Sequence, residues 1–242
     1  EEHVLEKRVM YLDKRVLNNA SIAMSLATKE LARMALTAQK MMESARKAFT
    51  LSDIDEMKKV HEYEEIIDML QVEIIKYLST MLSQNTLTVN QSVRLTGLMH
   101  VVNDIERIGD YCENIAESAE IKENEKLPFS EEAISEITNA FNQVNDMVNN
   151  SIYALKDNNV ELARKVLSKE SEIDALEESL RERHLQRLKS GLCNPLSAIS
   201  FVELVHNLER IADHCNNIAE AVIDDYNHKV ESVEEKYKGI EP

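Results

Sequence analysis

Apolar residues recur at alternating spacings of three and four along almost the whole chain, the mark of helices that bury one face. Breakers and capping residues cut this pattern into six segments. The first, about Asn19 to Phe49, carries Ala20, Met24, Ala27, Leu31, Met34, Ala38, Met41 and Ala45 on one seam, small enough for close helix approach. The second starts at Ser52, where Ser-Asp-Ile-Asp resembles a capping box with Asp in the Glu place, and ends near Ser83. Gln84 to Thr88 turns the chain into a third segment with Leu95, Val102, Ile105, Gly109, Cys112 and Ala116 inward. The polar stretch Lys122 to Ser130, with Pro128, is the boundary between two halves. A fourth segment runs from Ser130 to Asn158-Asn159. The fifth spans Val160 to Leu188 in one piece and stops at Ser190-Gly191. The sixth opens at Asn194-Pro195, an N-cap and the helical position proline favours, and continues to about Tyr226. The lead-in, residues 1–17, and the tail, residues 229–242, are charged and need no fixed structure.

The halves repeat one another. Ile105-Glu106-Arg107-Ile108-Gly109-Asp110-Tyr111-Cys112-Glu113-Asn114-Ile115-Ala116-Glu117 is matched by Leu208-Glu209-Arg210-Ile211-Ala212-Asp213-His214-Cys215-Asn216-Asn217-Ile218-Ala219-Glu220. The same duplication lays Glu64-x-x-x-Asp68 onto Glu170-x-x-x-Asp174. Three helices per half, repeated once, predict an all-α fold of two tandem three-helix bundles, residues 18–125 and 126–228.

Composition sharpens this picture. The chain has 242 residues, enough for a proper hydrophobic core, and only 4 Gly and 3 Pro, so almost no strand is expected. Its 44 acidic residues against 28 basic ones give a formal charge of −16, which makes nucleic acid a poor partner and a cation a good one. The 3 cysteines hold no Cys-x-x-Cys and fit a reducing compartment. Neither a signal peptide nor an apolar run of membrane-spanning length is present.

Candidate chemistry lies in the repeated carboxylates. Residues four apart share a helix face, but roughly eight such acid pairs arise by chance at this acidity, so a lone pair reads as a solvated face. Position changes the odds: Glu64 falls on the apolar seam between Val60 and Ile67, and Glu170 on the seam between Val166 and Ile173. Glu106 with Asp110, and Glu209 with Asp213, sit beside the seams of segments three and six, so two pairs converge in each half. Four such carboxylates need a positive partner: shared protons, an arginine such as Arg33 or Arg94, or a multivalent cation. All-oxygen ligation suits Mg, Ca, Mn or ferric iron better than zinc. His206 adds a nitrogen to the second set, where the first has Asn103. Cys112 and Cys215 read as small hydrophobes.

Catalysis is not expected. Glu203-x-x-His206 is a fragment of di-metal carboxylate oxidases, but its counterpart in the first half is His100 and Asn103, so the second copy is missing. No Gly-rich phosphate loop, Gly-x-Ser-x-Gly or Cys/His nucleophile pairing is evident. A di-metal enzyme and a metal-free helical scaffold remain the competing readings.

The doubled Glu-Arg-Ile-Gly/Ala-Asp signature, with Asn-Ile-Ala-Glu behind it, resembles that of the PhoU family across about residues 18 to 226. That resemblance implies a regulator of phosphate transport built of two three-helix bundles that binds iron or zinc clusters. It implies the ligands Glu64, Asp68, Glu106 and Asp110, then Glu170, Asp174, Glu209 and Asp213. The lead-in Glu6-Lys7-Arg8 to Leu17 resembles the stretch following the membrane part of sodium/phosphate cotransporters. On that resemblance the domain lies on the cytosolic face, its partner is a membrane phosphate transporter in the same polypeptide, and self-association is left open.

Overall fold

The computed structural model describes residues 5–84 and 87–238, with side chains through residue 228. Part of the expected lead-in (1–4), part of the turn at 84–88 (85 and 86) and the end of the tail (239–242) lie outside the described residues.

Seven α-helices carry the fold, and no strand occurs among the described residues: α1 (Ala20–Leu51), α2 (Ile54–Ser83), α3 (Val89–Asn124), α4 (Glu131–Asp157), α5 (Val160–Leu167), α6 (Glu170–Lys189) and α7 (Pro195–Lys238). α1, α2 and α3 form the first bundle; α4, the α5–α6 pair and α7 form the second. α1 also meets α4, and α3 meets α7, so one continuous core runs through both halves. Met34, Ala38, Met41 and Ala45 are fully buried, as their seam predicts.

Local signals act as stops and starts. Asn19 caps α1 through the Ile22 amide, Thr88 and Gln91 form a capping box on α3, and Ser130 caps α4. Asn158 ends α4 in the left-handed conformation (φ 51°) and Asn159 caps α5. At the first turn the expected capping box gives way to a division of labour. Ser52 takes the left-handed conformation (φ 54°) that ends α1, and Asp53, accepting from the amides of Asp55 and Glu56, starts α2.

Three expectations are corrected. Segment five is two helices, broken at Ser168-Lys169. The Ser168 hydroxyl bonds the Lys165 carbonyl (2.8 Å), and the exposed run Ser168 to Glu172 offers no apolar side chain to hold the turn against the core. The sixth segment runs to Lys238, well past Tyr226. The lead-in is docked: Glu30 and Arg33, a buried ion pair on α1 (0% and 4% exposed), bind its backbone. Glu30 accepts from the amides of Met10 (2.9 Å) and Tyr11 (2.6 Å), Arg33 donates to the carbonyls of Glu6 (2.9 Å) and Arg8 (2.7 Å), and Tyr77 Oη donates to the Asp13 carbonyl (2.9 Å). Backbone dipoles thus satisfy charges that burial would otherwise penalise.

Candidate metal centre

α3 and α7, the helices that carry the repeated motif, run antiparallel across the centre of the molecule. Arg94 pairs with Asp225 (3.0 Å), and Asp104 takes both His214 Nδ1 (2.9 Å) and the Asn217 amide (2.9 Å). Tyr111 and His214, which occupy the same motif position, stack with ring centroids 5.9 Å apart. Each half presents its carboxylates where α2 or α6 lies along the neighbouring motif helix.

In the first half Asp68, Glu106 and Asp110 lie near enough to Glu64 for their charges to act on it. Glu64 is 7% exposed, and its Oε2 accepts no hydrogen bond. Gly109 of α3 makes this position accessible: a Cβ there would stand 2.9 Å from Glu64 Oε2 and 3.3 Å from Ile67 Cδ1. Burial, then the charges of Asp68, Glu113, Asp110 and Glu106, push the Glu64 carboxyl up to about 8. Burial also raises Glu106, with Asp110 adding to the effect and Arg107 opposing it. Asp110 is raised by burial despite its ion pair with Arg107 (2.9 Å). Asp68 is more exposed and acts on all three.

Sequence reasoning missed three residues here. His61, one turn before Glu64, meets Glu113 through Nδ1 (3.0 Å) and Glu120 through Nε2 (3.1 Å). Burial opposes a proton on this ring, but the two carboxylates outweigh it and raise its pKa. The signal was available: His61 and Glu64 are three apart on one face of α2, and Glu113 follows Glu106 by two turns.

The second half differs. Glu170 and Asp174 are exposed, contrary to the expectation that Glu170 sits on the apolar seam. The break at Ser168-Lys169 places Glu170 in the first turn of α6, and Ala212 stands where Gly109 admits Glu64. Glu170 instead edges a polar recess of about 340 Å³ with Tyr111, Arg210, Asp213 and His214 among its walls. Glu209 is raised by burial and by Asp213, with Glu177 and Asp174 contributing and Arg210 opposing. His206 lies 3.6 Å from Glu209, exposed.

The cations beside these acids are Arg107 and Arg210, the arginines of the repeated motif, and not Arg33 or Arg94, which pair with Glu30 and Asp225. Their head groups lie at the rim, and neither is bonded to the buried Glu64 oxygen. The donor chemistry suits a hard cation. Among the described residues no three acidic, imidazole or thiol side chains already converge as a ligand set, so a cation would have to draw them in.

Two other features bear on chemistry. Cys112 and Cys215 are fully buried, and burial pushes their thiols up, Cys215 to about 12, so they are inert filling. A Cys/His contact, unforeseen from the sequence, does exist: Cys193 Sγ lies 3.6 Å from His184 Nε2 across the α6–α7 turn. His184 is stacked on Phe201 at 4.1 Å, a packing role.

Comparison with known proteins agrees with this architecture. The PhoU domain family matches residues 31–119 and 137–222, one stretch in each half, and the chain belongs to that family. It is 25% identical over 218 residues to the Phosphate-specific transport system accessory protein PhoU homolog 1 of Thermotoga maritima, covering 90% of this chain and 92% of that one. It is 30% identical over 162 residues to the PhoU homolog of Aquifex aeolicus, covering 65% and 70%. The crystal structure of PhoU from Pseudomonas aeruginosa superposes with a TM-score of 0.76 at 24% identity, over 84% of this chain and 97% of that one.

Proposed function

We propose that this chain regulates phosphate transport as a metal-binding accessory domain, without catalysing a reaction, at the cytosolic face of a membrane phosphate transporter. Membership of the family and the similarity to accessory proteins of phosphate-specific transport systems support the first part. No helix among the described residues is long and apolar enough to cross a membrane, so the transport path would belong to a partner segment or subunit.

The observation that carries the metal reading is the Glu64 carboxylate, buried, with one oxygen unpartnered, and held among Asp68, Glu106, Asp110 and Glu113. A buried anion of this kind is stabilised by a proton or by a cation. Glu64, Asp68, Glu106 and Asp110 would hold the ion in the first half, and Asp174, Glu209 and Asp213, with Glu170 and His206 at the margins, in the second. Iron fits the oxygen donors; zinc would draw on His206. The metal-free scaffold reading draws on the paired arginines, yet these satisfy Asp110 and Asp213 and not Glu64. Elemental analysis of protein purified without an affinity metal column tests the proposal. Bound metal that falls with Glu106→Gln plus Asp110→Asn is expected; metal-free wild-type protein whose melting ignores added iron, zinc and manganese would overturn it.

A further inference from the structure

The differences between the two halves gather at the carboxylates. In the first half Gly109 opens the face of α3 to Glu64, and His61 fixes Glu113 and Glu120 beside it. In the second half the corresponding positions are Ala212, Leu167, Asn216 and Ile223, which neither admit nor hold a carboxylate. At the opposite end the change is reversed. Gln71 and Asn103, a neutral amide pair at 3.5 Å, are replaced by Glu177 and His206, both close to Glu209. The groups that flank the shared motif acids therefore extend toward opposite ends of the motif helix in the two halves.

Desolvation separates them further. Glu64 is more than nine-tenths buried with an unpartnered oxygen, so much of the cost of stripping water from that ligand is met by the fold. In the second half Glu209 also has a buried oxygen without a hydrogen bond, but Glu170, the counterpart of Glu64, is exposed together with Asp174 and must be desolvated and ordered when an ion binds. Resting on the metal-binding reading above, we propose that the two repeats bind cations unequally. The Glu64 pocket admitted by Gly109 is a tight, all-oxygen site for a hard cation, and the second half is a weaker oxygen–nitrogen site shifted toward Glu177 and His206.

Titration of the metal-free full chain with Mn²⁺, followed by calorimetry and by loss of the free-ion EPR signal, tests this. Two classes of site are expected. Glu64→Gln, which keeps the side chain's shape, removes the tight class. Gly109→Ala weakens it roughly ten- to a hundredfold, the range seen when support around a metal site is disturbed, while the weak class persists. Glu177→Gln with His206→Ala has the opposite effect. A circular dichroism melt of each variant separates loss of fold from loss of site, and Glu64→Gln carries the test if Gly109→Ala misfolds. Two equal sites in the wild type, or a tight class that survives Glu64→Gln, would overturn the inequality while leaving metal binding intact. No Mn²⁺ uptake by either half would overturn the inequality, and metal binding with it only if iron and zinc are ignored as well.

Discussion

Glu64 concentrates the tension in this protein. A carboxyl titrating near 8 when folded and near 4.5 when unfolded keeps its proton longer in the native state. Between those values the native state binds more protons than the unfolded one, so its contribution to stability is complete below about pH 4.5 and is lost as pH rises through 8. Thermal melts of metal-free protein should show a falling Tm from pH 5 to pH 8, and Glu64→Gln should flatten that slope. Glu30 and Arg33 present the opposite case, a buried pair whose every partner is in place. Arg33→Met leaves the Glu30 charge buried without its partner and should cost about 3–5 kcal/mol in urea denaturation.

At the scale of elements, the turns between α1 and α5 were readable because capping is local chemistry, whereas the end of α7 was not. Asp53 serves two amides of α2, and Asp53→Ala should cost about 1 kcal/mol, seen as a lower urea midpoint with unchanged slope. The α5–α6 break was not readable. Leu162, Val166 and Ile173 keep helical spacing across it, and a periodic pattern does not register whether an exposed turn is supported from beneath. The docking of residues 6–13 was equally hidden, since it uses backbone groups that carry no sequence signature.

Over the whole molecule, the duplicated motif helices α3 and α7 join the bundles through Asp104, His214 and Asn217. Asp104→Ala and His214→Ala should therefore be non-additive, with a coupling of about 0.5–3 kcal/mol in a double-mutant cycle read by denaturation. His214 also lies close enough to Glu106 to oppose, weakly, the rise in its pKa, so a residue of the second half reaches the first cluster.

Helix periodicity, small residues on the seams and a thirteen-residue repeat were sufficient to derive two three-helix bundles and to single out eight carboxylates, because each depends on spacing along one chain. Spacing alone could not tell that Glu64 is buried while Glu170 is exposed. That outcome turns on Gly109 against Ala212, on His61 against Leu167, and on a helix break, all of which act through the neighbouring helix. Desolvation and charge are set by what lies across the interface, so only the tertiary structure decided which of the paired acids are buried and which face water.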